Sequence, residues 1–158
     1  MAKQFLPFLI LSLALSYANA TGTIVPMVAK TSKTFYVSGQ LSGIETTDFM
    51  VDTGSGYLTI NEMTLQALQA KGTAQYLRDM TGVLANGDEL VVPVYLLSAI
   101  NIGGRCQLTD VEAAVFPGET RQILGMSALK KASPFLFSVD PPLLQLSNCQ
   151  QQLTKAEE

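Results

Sequence analysis

The segment FMVDTGSGYL, residues 49–58, places one carboxylate, Asp52, between an apolar run and a glycine-rich turn. A buried charge is unfavourable unless it is paired, hydrogen-bonded or protonated. The glycines allow backbone N–H groups to approach the carboxylate, and Thr53 and Ser55 add hydroxyl groups. We therefore predict that Asp52 is a functional carboxylate that stays accessible to a ligand. An ordinary turn or helix-capping aspartate is the alternative.

The residues on both sides of Asp52 predict strands followed by a helix. Short apolar stretches alternate with Gly, Pro, Asn and Asp from Thr34 onward, which is typical of a compact β domain. TFYVSGQLSG (34–43) and TTDFMVD (46–52) predict two strands around a turn. Apolar residues then recur at helical spacing from Asn61, a candidate N-cap, until Gly72. Asp52 is therefore expected in a turn between a strand and a helix.

Two hairpins are predicted in the middle of the chain. Asn86-Gly87 lies between two β-prone runs, and Asn-Gly favours a type I′ turn because both central residues need positive φ. The next hairpin is expected to turn at Gly103-Gly104.

The remaining sequence predicts a strand, a short helix and two last strands. QILGMSALKKA (122–132) indicates a buried strand that ends at Gly125 before a helical turn, and PFLFSVDPPLLQLS (134–147) indicates the final pair. The segments FMVDTG (49–54) and RQILGM (121–126) are weakly alike, since each is an apolar strand stopped by a glycine.

The composition excludes several kinds of chemistry. The chain has no histidine, so it cannot build a Ser-His-Asp triad or an imidazole metal site. Its formal charge is −3 and charged residues make up 15%, which favours neither nucleic acid nor an anionic membrane surface as a partner. Two cysteines alone cannot make a structural zinc site. Cys106 and Cys149 are instead candidates for one disulfide, with two buried free thiols as the alternative.

Residues 1–20 have the features of a signal peptide. A positive charge at Lys3 precedes the apolar stretch 5–18, and Ala18-Asn19-Ala20 is a small-residue cleavage pattern. The apolar stretch is shorter than the roughly 20 residues of a membrane helix, so we predict cleavage before Thr21 and an exported protein, periplasmic or extracellular. Contact with a membrane is expected only in the alternative that this segment is not cleaved.

Three motifs carry a resemblance to a known family. VDTGSG (51–56), the hairpin around ANG (85–87) and ILGMSAL (123–129), in this order and at these separations, resemble a retropepsin-like aspartic protease. The small exported bacterial members of that clan are the most similar in style. The resemblance covers roughly 35–146 and implies a protease domain over 34–147, with an N-terminal extension, 21–33, and a polar tail, 148–158.

The resemblance implies a fold and a set of site residues. The fold is mostly β, a closed retropepsin-like acid protease barrel with one or two short helices. The loop that contains Asp52 and the strand ending at Gly125 would be braided at the base of a cleft. The resemblance makes Asp52 catalytic and gives supporting roles to Thr53, Gly54, Ser55 and Gly125. It assigns Leu84, Ala85, Asn86 and Gly87 to a flap over the cleft.

The resemblance also implies a mechanism and partners. The chain contains one Asp-Thr-Gly unit, which is half of a site, so a homodimer would bring two Asp52 carboxylates together to share one proton and activate a water. No cofactor or metal is required. Thr53 would tie the two loops together, and Ser55 would hydrogen-bond the Asp52 carboxylate. The substrate would be an extended peptide or unfolded protein with apolar side chains. The alternative is a catalytically silent exported β-barrel of the same scaffold that binds peptides or a partner protein.

Overall fold

The fold is mostly β, as the sequence predicts. The computed structural model describes residues 22–84 and 86–150. In this part of the chain the elements are, in order, β1 (Thr23–Pro26), β2 (Val28–Ala29), β3 (Phe35–Leu41), β4 (Thr47–Val51), β5 (Leu58–Asn61), α1 (Glu62–Ala70), β6 (Ala74–Val83), β7 (Glu89–Ile102), β8 (Cys106–Phe116), β9 (Ile123–Leu124), α2 (Met126–Leu129), β10 (Phe135–Val139) and β11 (Pro142–Leu146).

The strands form two sheets. The larger sheet has the order β2-β3-β4-β9-β5-β8-β7-β6, and β3 also pairs with β7, which closes a ring through six strands. The smaller sheet has the order β1-β11-β10. Both sheets and both helices contribute to one apolar core, whose fully buried side chains include Phe49, Leu58, Ile60, Ile100 and Leu124. Burial of this apolar surface is the main stabilising contribution to the fold.

Helix α1 follows from local sequence. The side chain of Asn61 accepts a hydrogen bond from the N–H of Thr64 at 2.9 Å, which satisfies one of the free donors at the start of a helix. Thr64 and Leu68 are the buried residues of this helix, so the helix packs against the core through this face. The prediction of an N-cap at Asn61 is confirmed.

The turn at Asn86-Gly87 differs from the predicted type I′ geometry. The N–H of Leu84 donates to the carbonyl of Asp88 at 2.8 Å, and these two residues therefore close a three-residue loop. Gly87 has φ of 90°, whereas Asn86 is not among the described residues with positive φ. The reason is local, because the Asn86 side chain accepts from the Asp88 N–H at 3.1 Å and favours the longer loop.

A two-residue turn with positive φ at both central positions occurs in the next hairpin. Gly103 and Gly104 have φ of 61° and 67°. The N–H of Arg105 donates to the carbonyl of Ile102 at 3.1 Å and closes the turn between β7 and β8.

Residues on both sides of the predicted protease domain, 34–147, pair with its strands. Within the predicted extension, β1 pairs with β11 and β2 pairs with β3, so residues 23–29 belong to the sheets. At the other end, Cys149 forms a disulfide with Cys106, and the N–H of Gln150 donates to the carbonyl of Gln107 at 3.0 Å. Both segments supply hydrogen bonds to strands that would otherwise have unpaired backbone groups. The predicted signal peptide, the flap residue Ala85 and tail residues 151–158 lie outside the described residues.

No helix within residues 22–84 and 86–150 is long and apolar enough to cross a membrane. The same part of the chain contains no group of three or more Cys, Asp or Glu residues placed to hold a metal ion.

Candidate active site

The loop that carries Asp52 is fixed by the short strand β9. β4 enters the loop and β5 leaves it, and β9 lies between these two strands. Val51 pairs with Leu124 in parallel, and Thr59 pairs with Ile123 in antiparallel orientation. The N–H of Asp52 donates to the carbonyl of Leu124 at 3.2 Å. The two segments whose sequences are weakly alike therefore meet at Asp52.

The Asp52 carboxylate is held by the backbone and remains open to a ligand. Its Oδ1 accepts a hydrogen bond from the N–H of Gly54 at 2.8 Å, and the residue is half-buried. Within the described part of the chain, the ion pairs are Lys30 with Asp48 and Arg78 with Glu112, and neither includes Asp52. A carboxylate with one backbone donor and no cation beside it keeps lone pairs available for chemistry.

The predicted bond between Ser55 and the Asp52 carboxylate is replaced by a different contact. The Ser55 hydroxyl donates to the carbonyl of Tyr57 at 3.0 Å. The turn brings the Gly54 N–H to the carboxylate and directs the half-buried Ser55 side chain toward the end of the loop. Ser55 therefore stabilises the loop itself in this chain.

Residue 125 must be glycine because the backbone of the Asp52 loop passes very close to it. A Cβ atom added at this residue would overlap the carbonyl oxygen of Tyr57 and would lie 2.8 Å from the carbonyl oxygen of Ser55. Its φ of −97° is open to any residue, so the requirement comes from space alone. Only glycine lets β9 and α2 pass this close to the loop.

The residues after Gly125 complete the contact between α2 and the loop. The N–H of Met126 donates to the Ser55 carbonyl at 2.8 Å, and the N–H of Ser127 donates to the Gly56 carbonyl at 3.0 Å. The Ser127 hydroxyl donates to the Glu112 carbonyl at 2.6 Å and accepts from the N–H of Leu58 at 2.7 Å. Backbone hydrogen bonds therefore join the loop to β9 and α2 at Asp52, Ser55 and Gly56, and they fix the position of Asp52.

A cleft of about 510 Å³ lies over the loop. Asp52 is the one charged residue among the described residues that line it. Its lining residues are Asp52, Gly54, Ser55, Gly56, Tyr57, Thr59, Met80, Gly82, Val83, Leu84, Val92, Ala114, Phe116, Thr120 and Ile123. The hairpin of β6 and β7 covers one side with mostly apolar side chains. The cleft suits an apolar ligand whose polar group meets Asp52.

The predicted flap residues lie at or near the tip of this hairpin. Leu84 lines the cleft, whereas Asn86 and Gly87 are exposed and are not among its lining residues. Thr53 is exposed on the Asp52 loop. A second groove of about 570 Å³ lies beside Gly39, Asn101 and Arg105 and contains none of the predicted site residues, so we place the site at Asp52.

The sequence predicted no role for the cleft residue Tyr57 or for two residues beside it, Arg78 and Glu112. Nη2 of Arg78 on β6 donates to the Tyr57 hydroxyl at 3.0 Å and to Oε2 of Glu112 at 2.6 Å. The hydrogen bond to Glu112, followed by that to Tyr57, raises the pKa of the Arg78 guanidinium above its ordinary value, so the group stays cationic. Tyr57 directly follows the Asp-Thr-Gly-Ser-Gly segment and could have been noticed. No sequence pattern connects Arg78 with Glu112.

Together, the parallel pairing of β4 with β9, the carboxylate loop and the covering hairpin define the retropepsin class of aspartic protease folds. A family model described as "gag-polyprotein putative aspartyl protease" matches residues 37–131. The chain belongs to this family of aspartyl proteases.

Structural comparison agrees on the fold. A retropepsin-like aspartic protease from Rickettsia conorii matches with a TM-score of 0.54 and 20% sequence identity, and the match covers 78% of this chain and 89% of that one. No curated protein is similar enough in sequence to match this chain. The predicted resemblance to retropepsin-like aspartic proteases is confirmed by the family model and by the fold.

Proposed function

We propose that the protein is an aspartic endopeptidase that hydrolyses peptide bonds as a homodimer. The observation that carries this proposal is the half-buried Asp52 carboxylate, which lies at the cleft with a backbone donor and forms no ion pair with any residue that the structure describes. A carboxylate of this kind is available to activate water, which is the chemistry of the family to which the chain belongs.

The single Asp-Thr-Gly unit supports the homodimer. Each chain supplies one Asp52 and one cleft wall, whereas hydrolysis by this mechanism needs a base and an acid. A two-fold axis beside the exposed Thr53 would bring the two loops together and make the interface self-complementary. The second copy would complete both the carboxylate pair and the cleft.

The chemistry follows from the repulsion between like charges. Two carboxyl groups a few Å apart do not both ionise readily, so the pair shares one proton. The ionised Asp52 takes a proton from a water molecule as that water attacks the scissile carbonyl carbon. The protonated Asp52 of the second copy donates its proton to the developing oxyanion. No covalent intermediate and no cofactor are required.

The cleft lining supports an extended peptide substrate with apolar side chains. Met80, Val92, Phe116 and Ile123 face the cleft, and Val83 at the end of β6 is exposed. An extended peptide would bind mainly through backbone hydrogen bonds, as an added strand does. The hairpin would cover this peptide and exclude water.

The proposal is tested by changing the carboxylate alone. The variant Asp52→Asn should lose cleavage of an unfolded protein substrate at mildly acidic pH while its circular dichroism and unfolding curve stay unchanged. Asp110→Asn is a matched control, because Asp110 is exposed and its φ of 55° also suits Asn. A statin-type transition-state analogue should inhibit the wild-type protein.

Undiminished cleavage by Asp52→Asn would refute the proposed mechanism. A wild-type protein that binds the analogue and peptides but cleaves neither unfolded protein nor peptide would instead support the silent binding protein.

We also propose that the protein is exported, with residues 1–20 removed. This rests on the charge, apolar stretch and small-residue pattern of that segment. The disulfide between Cys106 and Cys149 agrees with an oxidising compartment. N-terminal sequencing of the protein recovered from its native compartment should start at Thr21. A protein that retains Met1 or Ala2 in the cytoplasmic fraction would contradict export.

A further inference from the structure

The bridge between Arg78, Tyr57 and Glu112 joins three different parts of the site. Arg78 belongs to the first strand of the flap hairpin, Tyr57 ends the Asp52 loop and lines the cleft, and Glu112 lies on β8. Both hydrogen bonds come from one nitrogen of the guanidinium, at 3.0 and 2.6 Å. The bridge therefore connects the flap with the floor of the cleft.

A β-bulge places Arg78 on the same face of β6 as Met80, which lines the cleft. The pairing of β6 with β7 changes register between Tyr76 and Arg78, so that Leu77 is the extra residue. Beyond this bulge Arg78 pairs with Val94 and Met80 pairs with Val92. Without the extra residue, the alternation along β6 would place the odd-numbered residues on the cleft side. The bulge is therefore the reason that Arg78 lies on the same face of β6 as Met80.

The bridge lies where the hairpin leaves the rest of the sheet. β7 pairs with β8 from Val94 to Ile102, and the pairs before Val94 join β7 to β6 alone. Within the described chain, residues 79–83 and 89–93 thus have backbone partners only in each other. Arg78 pairs with Val94, and Val94 is the last residue toward the hairpin tip that also pairs with β8.

We propose that Arg78 is a positioning residue that anchors the base of the flap and holds the Tyr57 wall of the cleft. Motion of the hairpin then begins beyond Arg78, and the Tyr57 ring keeps one orientation against the substrate. The part of this inference that concerns substrate rests on the proposed protease function. The part that concerns flap motion does not depend on activity.

Hydrogen exchange provides the test that is independent of activity. In Arg78→Met, the amides of residues 79–84 and 89–93 should exchange roughly 2- to 5-fold faster, as expected for loss of an exposed ion pair with an additional hydrogen bond. Residues 106–116 should exchange as in the wild type. Lys30→Met is the matched control, because Lys30 and Arg78 are 44% and 45% exposed and each pairs with a carboxylate.

Kinetics provide the second test. Arg78→Met should raise KM roughly 2- to 5-fold with kcat nearly unchanged. The reason is that a displaced Tyr57 side chain weakens substrate binding without removing a reacting group. Tyr57→Phe should raise KM by a smaller factor, and the double variant should be no worse than Arg78→Met, since both changes break the same bond.

The outcomes separate the two proposals. Equal amide exchange rates of the hairpin residues in Arg78→Met and Lys30→Met would overturn the anchoring role, whether or not the protein cleaves peptides. Faster flap exchange in a protein without any protease activity would support the anchor and count against the proposed function. Glu112→Gln, which keeps the shape of the partner but removes its charge, should reproduce the exchange effect in part if Arg78→Met does not fold.

Discussion

The N–H of Asp52 donates to the carbonyl of Leu124 at 3.2 Å, and this bond joins the loop of Asp52 to the second half of the chain. It continues the parallel pairing of Val51 with Leu124. The carboxylate therefore owes its position to β9, and changes near β9 should affect it as strongly as changes in its own loop.

Gly125→Ala should destabilise the protein by about 1–3 kcal/mol, the usual range for overpacking a tight site. The added methyl group would overlap the Tyr57 carbonyl, which cannot move without displacing the Asp52 loop. Urea unfolding measures the change. Gly56→Ala is the control, since its Cβ would meet no atom of the described residues within 4 Å. Equal stabilities of the two variants would contradict the close approach of β9 to the loop.

Mixing wild-type protein with Asp52→Asn should reduce activity per wild-type chain. If each site contains one Asp52 from each subunit, random exchange of subunits makes most wild-type chains pair with inactive ones. A roughly ninefold excess of the variant should then lower activity about tenfold. Asp110→Asn in the same excess should have no such effect. Activity that is independent of added variant, after verified subunit exchange, would show that one chain is sufficient.

The double variant Cys106→Ala, Cys149→Ala should be less stable than the wild type by about 4 kcal/mol, the loop-entropy estimate for a crosslink spanning 43 positions. This crosslink ties the end of the described chain to β8, where Gln150 also pairs with Gln107. Unfolding with and without reductant measures the effect. Reductant should destabilise the wild type and leave the double variant unchanged. A wild-type mass that does not increase by two hydrogens on reduction would show free thiols.

Asn61→Ala should lower the free energy of unfolding by about 1 kcal/mol, as expected for loss of a helix N-cap. The Asn61 side chain accepts from the Thr64 N–H and also donates to the Thr120 carbonyl at 3.4 Å. Asn61→Asp retains the acceptor, so it should recover most of the loss. Thermal or urea unfolding distinguishes them, and an Asp variant as unstable as the Ala variant would assign the effect to the Thr120 contact.

Several structural elements could be predicted from the local sequence alone. The Asn61 cap with its apolar helical spacing predicted α1, and Gly103-Gly104 predicted the turn after β7, because these conformations depend on neighbouring residues. The turn at Asn86 was wrong in type, since a side-chain bond to Asp88 competed with the expected geometry. The N-terminal strands were missed because β1 and β2 are short and depend on distant partners.

In the candidate active site, too, some features follow from the local sequence and others depend on residues that are distant in the chain. By itself, the sequence determined that Asp52 is followed by a glycine turn, that each chain carries one such unit and that no histidine chemistry is possible. Only the tertiary structure decided that Ser55 bonds to Tyr57 and that Arg78 joins Tyr57 to Glu112. The physical reason is that motif chemistry depends on residues adjacent in the chain. The bridge instead depends on a strand register that one bulged residue shifts, and this register is set only when distant strands pair.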